Sequence, residues 1–240
     1  MDRPFYSITI NGKNTWDEWG LMPVKAGRIE FATPELRYDA VTVAGSDNVL
    51  DFTEALTGYP VYNPRKGSIK FRFYDNGTPV RSRFDQLKNS IHGRLVRAVI
   101  EDQPEYYYEG RFTVGDVEYH RNTRWAEVEL NYILNAYKIE FSSSDEEWLW
   151  DPFNFETGVI REYGDITING ETEVTVIGSR KPTVPTFILS SDMTMVFEEK
   201  TYELSAGTNI IPTIVLHEGD YVFSFVGNGS VSIKMKAGAL

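Results

Sequence analysis

Val43-Ala-Gly-Ser-Asp-Asn-Val-Leu-Asp-Phe-Thr-Glu-Ala-Leu-Thr-Gly58 is the stretch around which the rest of the chain is arranged. Glycines punctuate it, Gly45 near its start and Gly58 at its end. Asp51 stands where it can cap a short helical turn, and Glu54 follows three residues later, the spacing of a capping box spanning Phe52 and Thr53. Phe52, Ala55 and Leu56 then share one face of that turn. On spacing alone the stretch is an ordered loop between two strands.

Upstream, residues 5–10 alternate and run into Asn11-Gly12, a strong hairpin signal. In Asn14-Thr-Trp-Asp-Glu-Trp-Gly20, Thr15 and Glu18 repeat the capping-box spacing and Gly20 can end the turn. Trp16 and Trp19 lie on one side of that turn, and packing into the core is the plain reading for side chains this large. Residues 21–43 alternate unevenly around two prolines, with extended segments at 28–31 and 36–43. They fit a protruding arm or a long hairpin equally well.

Downstream, residues 69–73 form a clean strand, with Ile69, Phe71 and Phe73 on one face and Lys70 and Arg72 on the other. The clearest helix follows Asp75-Asn76-Gly77. Ser82 caps it, Phe84, Leu87 and Ile91 make its stripe, and Gly93 stops it. Strands are predicted at 95–100, 112–114, 117–120 and 125–137, the last with Val128, Leu130, Tyr132 and Leu134 on one face. An acidic junction, 142–147, precedes the densest aromatic cluster, Trp148-Leu-Trp-Asp-Pro-Phe-Asn-Phe-Glu-Thr-Gly158. Beyond it, short strands are predicted at 165–168, 174–177, 187–189, 193–197, 210–216, 220–226 and 230–236, with Asn169-Gly170 turning the first hairpin. Such spacing without a helix describes a β-sandwich. Ile-Thr-Ile-Asn-Gly occurs at 8–12 and again at 166–170, but the flanks differ, so this is shared turn chemistry rather than a repeat.

The 240-residue chain divides into domains at 1–138 and 151–240, with a junction at 139–150. Its charge is uneven. Residues 1–138 hold 18 Lys+Arg against 19 Asp+Glu, and residues 139–240 hold 6 against 16. Neither half has the basic excess that nucleic-acid binding needs. The absence of cysteine excludes disulfides, thiolate nucleophiles and zinc–thiolate sites. No signal-like h-region follows the first residues and no apolar run reaches membrane-helix length, so a soluble protein is expected.

Catalytic patterns are lacking. His92, His120 and His217 are scattered without metal-ligand spacing, and no P-loop, nucleophile elbow or dinucleotide fingerprint is present. Asp17/Glu18, Glu101/Asp102 and Asp145/Glu146/Glu147 are adjacent acids, which sequence adjacency does not place across a cleft. No enzyme activity, cofactor or metal is expected. Asn63-Pro64-Arg65 matches part of a galectin sugar-binding signature, but it lies in the first domain and the second half shows no matching signature. A carbohydrate-binding sandwich is the rival function class, with Trp148, Trp150 and Phe153 lining a groove. Packing between the two domains is the other reading of that cluster.

Three segments carry a family resemblance. Asn11-Gly-Lys-Asn-Thr-Trp-Asp-Glu-Trp-Gly-Leu21, the 43–58 stretch, and Asn89-Ser-Ile-His-Gly-Arg94 with Glu101-Asp-Gln-Pro and Tyr106-Tyr-Tyr-Glu-Gly-Arg111 occur in this order over about a hundred residues. Together they resemble phage distal tail proteins, the hubs at the tips of long non-contractile tails. The resemblance is weaker in the second half, where it rests on the 148–158 cluster and the terminal strands. It implies a mainly β protein with a ring-forming first domain that carries one helix, followed by a galectin-like β-sandwich. It further implies a hexameric ring through which DNA passes unbound, located at the virion tail tip. The partners it implies are the tail tube protein, the tail-tip protein and receptor-binding or baseplate proteins. The subunit contacts it points to are Trp16, Trp19, Gly45, Asp51, Phe52, Thr53, Glu54, Leu56, Gly58, Arg94 and Arg111, with Trp148, Trp150 and Phe153 between the domains.

Overall fold

The computed structural model describes residues 6–25, 29–119, 126–141 and 161–240. They belong to two compact units, Met1–Ala136 and Tyr137–Leu240, each with its own hydrophobic core. Both units are mainly β, and the two helices among the described residues lie in the first.

In the first unit, β1 (Ile8–Ile10) turns back into β2 (Lys13–Asn14). Asn11 and Gly12 both adopt positive φ, 49° and 78°, as a two-residue hairpin turn requires. Then come α1 (Thr15–Trp19), β3 (Leu21–Pro23), β4 (Ala40–Thr42), β5 (Val49–Asp51), β6 (Arg65–Phe73), α2 (Val80–Ile91), β7 (Leu95–Ile100), β8 (Tyr106–Tyr119) and β9 (Ala126–Leu134). The main sheet is antiparallel in the order β2-β1-β7-β8-β9-β6-β3, while β4 and β5 pair only with each other. Alternation along β6, β7 and β9 buries Phe71, Phe73, Val96, Ala98, Val128, Leu130 and Leu134 in one cluster with Val80, Leu87 and Ile91 of α2.

Local differences from the sequence reading have identifiable causes. Asn14, not Thr15, caps α1, accepting from the backbone N–H of Trp16 (2.9 Å) and of Asp17 (3.3 Å). The Thr15 hydroxyl is instead buried and accepts from the Ile8 N–H. Helix α2 starts two residues before Ser82, because Val80 is wholly buried and draws the first turn inward. The strands expected at 112–114 and 117–120 are one strand, β8, with a register shift between Val114 and Val117.

Two buried arginines fasten loops to this sheet. Arg83 Nη1 donates to the carbonyls of Trp19 (3.2 Å) and Tyr74 (2.7 Å), and its guanidinium lies over the Phe73 ring. Gly20, left-handed at φ 64°, leaves room for it; a Cβ there would sit 2.7 Å from Arg83 Nη1. Arg65 donates from Nε to the Ala136 carbonyl (2.8 Å) and from Nη1 to the Ala32 carbonyl (2.9 Å). The Ala32 N–H donates in turn to Tyr132 Oη, and Phe31 packs edge-on against Tyr108 and Tyr132.

The second unit contains β10 (Lys138–Glu140), β11 (Ile166–Ile177), β12 (Thr186–Leu189), β13 (Met193–Phe197), β14 (Lys200–Leu204), β15 (Gly207–Ile210), β16 (Asp220–Lys234) and β17 (Gly238–Ala239). Strand β16 is its spine. It pairs with the whole of β11 at 220–231, with β13 at 224–226 and with β12 at 231–234. Strand β10 pairs with β17, so residues 138–140 are part of this unit rather than of a linker. Arg161 ties it together, ion-paired to Glu140 and donating to the carbonyls of Ile177 and Gly178.

Here the turn chemistry was outvoted. Asn169-Gly170 does not turn a hairpin; it lies inside β11, opposite Asn228 and Gly227 of β16. The strands expected at 220–226 and 230–236 merge into β16, and 165–168 with 174–177 merge into β11. A twelve-residue ladder between them supplies more backbone pairing than two short hairpins would. Of the predicted strand 210–216, residue 210 alone is strand, ending β15, and β14 is an additional strand.

Arg65→Met is expected to cost about 3 kcal/mol, since two carbonyls lose their donor; the shift of the denaturant midpoint measures it. Glu127 faces Arg72 and Lys70 across the sheet at 2.8 and 3.2 Å. Their hydrogen bonds, Arg72's foremost, hold its carboxyl below the usual range. A depressed folded-state pKa stabilises above the unfolded value near 4.3 and is lost as pH falls through the folded one. Thermal melting from pH 7 down to 3 should therefore show a falling limb that Glu127→Gln flattens.

Candidate assembly surface

From Glu35 to Pro64 no residue is buried. This excursion leaves the sheet after Phe31 and re-enters it at Arg65, so the Arg65–Ala32 hydrogen bond closes its base. Above that base the two sides pair as a ladder. Asn63 N–H donates to the Glu35 carbonyl, Arg37 N–H to Val61, and Phe52 N–H to Asp39, and then β4 meets β5 with Val41 opposite Leu50. The excursion is thus an arm; within 43–58, residues 43–48 make its tip and 53–58 a turn on the returning side, between the Phe52–Asp39 and Val61–Arg37 rungs.

Three local devices shape that stretch. Ser46 N–H donates to the Val43 carbonyl in the turn that contains Gly45, whose φ is 82°. Asp51 does not start a helix. Its carboxylate accepts from the Thr53 N–H at 2.8 Å, and hydrogen bonds from Thr53 hold its pKa below the ordinary carboxylate value. Thr53 Oγ1 in turn accepts from the Asp39 N–H. Glu54 contributes its carbonyl, which accepts from the Gly58 N–H at 2.7 Å and closes a single turn. Leu56, at the apex of that turn, is 100% exposed.

The surface of the arm is apolar and acidic. Val41, Leu50 and Phe52 share one face of the ladder and are exposed, as are Leu36, Tyr38, Val43 and Val49. Residues 35–64 carry five acids and one base, Arg37, a net of −4. The remainder of the first unit, 1–34 with 65–136, carries 16 Lys+Arg against 14 Asp+Glu. A two-stranded ribbon with no core of its own is marginal in water.

On the main sheet, Leu95, Arg111, Ile133 and Lys66 stand side by side in one register row across β7, β8, β9 and β6. All four are exposed, and the row alternates apolar with cationic groups. Arg111 Nη1 donates to the Gly93 carbonyl, fixing its direction.

The structure brings segments 11–21 and 89–111 together. Asn11 and Arg97 exchange hydrogen bonds, and Ile10, Asn11, Lys13, Asn89, Ser90, Ile91 and Arg94 line one recess. Segment 43–58 is apart from them, on the arm. Trp19 is fully buried and supports the core beneath α1, whereas Trp16 is half-buried against Tyr74. Trp148, Trp150 and Phe153, with the 142–147 junction, lie outside the described residues. Arg65 and Asn63, two-thirds of the galectin-like tripeptide, hold the arm: Arg65 is buried, and Asn63 Oδ1 accepts from Arg37 Nε. Arg65 escaped the sequence reading because nothing local marks an arginine as buried; its place at the start of a strand after Pro64 was the available cue. Among the described residues no three His, Cys, Asp or Glu are grouped as a metal site would need, and no helix is long and apolar enough to cross a membrane.

No family model matches the sequence, and no curated protein matches it. Among solved structures, the crystal structure of the Dit protein of phage SPP1 is similar, with a TM-score of 0.56 at 15% identity, covering 98% of this chain and 99% of that one. That protein is described as a paradigm of the hub adsorption apparatus in phages that infect Gram-positive bacteria. Over nearly its whole length, then, this chain has the fold of the SPP1 Dit protein.

Proposed function

We propose that the chain is a structural hub of a phage tail tip, made in the host cytoplasm and built into the virion. Six copies close into a ring that joins the tail tube protein to the tail-tip protein and to receptor-binding or baseplate proteins. DNA passes through it without specific binding, and the chain catalyses nothing. The fold shared with SPP1 Dit supports this reading, and the number six is what the resemblance to distal tail proteins implies. The second unit is the galectin-like sandwich that such hubs carry, held outside the ring.

The observation that carries the proposal is the arm. It exposes a contiguous set of apolar side chains that an isolated chain would leave in water. The complement is present on the same molecule: the arm is acidic, the rest of its unit is slightly basic, and the Leu95–Arg111–Ile133–Lys66 row offers apolar and cationic groups together. An arm seated on the next copy's row is a head-to-tail contact, and such contacts close into rings. Residues 139–240, at −10, do not favour edge-to-edge packing of six copies, because like charges in contact are weakly screened within about 8 Å.

Light scattering over a concentration series should find a ring, alone or with the tail tube and tip proteins. A strict monomer in every mixture refutes the proposal. Phe52→Glu and Arg111→Glu should each weaken assembly about tenfold or more, because each loses one desolvated contact, while their melting temperatures stay near that of the parent chain.

The two units can be tested separately. Because Lys138–Glu140 is a strand of the second unit, the cut belongs between Ala136 and Tyr137 rather than at 142–147. Residues 1–136 should assemble and residues 137–240 should remain monomeric. The reverse result would move the ring to the second unit.

A further inference from the structure

Asn-Gly occurs four times in the chain, at 11–12, 76–77, 169–170 and 228–229. The dipeptide carries a latent reaction. The backbone nitrogen of the glycine attacks the asparagine side-chain carbon, and no side chain on the glycine obstructs the approach. The fold treats the four copies differently. Asn169 and Asn228 face each other inside the β11–β16 ladder, where ring closure must wait for the strands to open. Asn11 is fixed to β7: its N–H donates to the Arg97 carbonyl and its Oδ1 accepts from the Arg97 N–H. Asn76 is exposed in the turn between β6 and α2, outside any strand pairing.

That turn supplies the two groups the reaction needs. The Gly77 N–H, on the nucleophile, donates to Asp75 Oδ1 at 3.1 Å, so a carboxylate already holds the proton that must leave. Asn76 Oδ1, the oxygen that gains charge during attack, accepts from the Thr78 N–H at 3.1 Å. Each is a bond that Asp and Asn make readily in turns. Here the two fall on the nucleophile and the electrophile of one dipeptide. The product charge also has a cation beside it. A Cβ at Gly20 would stand 2.7 Å from Arg83 Nη1 and 3.6 Å from Asn76 Nδ2, so these two groups border one small space. Arg83 is buried, and its Nε and Nη2 have no hydrogen-bond partner. Burial lowers its pKa, and the charge of Asp75 works against that. A second carboxylate at position 76 acts in the same sense as Asp75.

We propose that Asn76-Gly77 is a self-modifying site, which converts to aspartyl and isoaspartyl forms in the folded protein. The Gly77 nitrogen bonds to Asn76 Cγ and gives its proton to the Asp75 carboxylate. The Cγ–Nδ2 bond breaks, and the departing nitrogen takes that proton and leaves as ammonia. A water molecule then opens the succinimide. Cleavage of the new N–Cγ bond leaves aspartate, and cleavage of the original peptide bond between residues 76 and 77 leaves isoaspartate. Water is the co-reactant, and nothing is oxidised or reduced. Each conversion adds a negative charge ahead of α2. The inference is independent of ring assembly and stands or falls separately from it.

Incubation of the full chain at neutral pH and physiological temperature, followed by trypsin and mass spectrometry, tests it. Trypsin releases residues 73–81 apart from the other three Asn-Gly pairs. In the folded protein, this peptide should exchange NH for O about tenfold faster or more than the peptides that hold Asn11, Asn169 and Asn228. The difference should vanish in urea; one that persists there belongs to local sequence and overturns the assignment to the turn. Asp75→Asn keeps an acceptor for the Gly77 N–H but removes the base, and should slow conversion about tenfold or more. Asn76→Asp, which makes the aspartyl product directly, should melt no lower than the parent chain. The proposal is overturned if residues 73–81 convert no faster than the other pairs in the folded protein, or if Asp75→Asn melts normally and converts at the parent rate. A lower melting temperature for Asn76→Asp would overturn the placement of the new charge beside Arg83.

Discussion

The hydrogen bond from Arg65 to the Ala32 carbonyl joins the two ends of a thirty-odd-residue excursion that has no core of its own. Burial lowers the pKa of this guanidinium, yet an arginine stays protonated through such a loss. The same side chain reaches Ala136 at the edge of the unit and lies over the Tyr108 ring. One residue thus fixes where the arm leaves, where it returns and how the aromatic cluster beneath it packs. A lysine could not hold both carbonyls in one plane, and an apolar residue would leave both unpaired.

What the sequence made legible follows the strength of local signals. The Asn11-Gly12 turn formed as read: the pairing with β7 ends at Asn11, where Arg97 exchanges hydrogen bonds with it, and the chain is left to turn back into β2. The identical pentapeptide at 166–170 did not turn, because β16 offers pairing along the whole of β11. The two copies separate intrinsic preference from tertiary context, with the local sequence held constant. Alternation in β6 and β9 was correctly read because the core sits on one side of each strand and admits one register.

The arm was legible as an alternative, arm or long hairpin, and the structure contains both at once. It could not be resolved from pattern because a ribbon with neither face buried has no reason to alternate. Val41, Leu50 and Phe52 are apolar and yet exposed. Arg83 and Arg65 are charged and yet buried. Each inversion has the same origin: burial is decided by what the residue meets in space, and these residues meet either the inside of a loop base or the outside of the molecule.

Separation of the arm from the core has an evolutionary consequence. Between Glu35 and Pro64 no side chain is packed inside the unit, so substitutions there leave the stability of the body nearly untouched. Loops held by a rigid scaffold diverge faster than the scaffold does. Arg65, Ala32, Tyr132 and Phe31 form the fixed plate on which the ribbon stands, while the ribbon beyond them is free to be rewritten. Lineages can exchange one set of contacts for another by drift in some thirty residues, and the surface that receives the arm must then change in step with it.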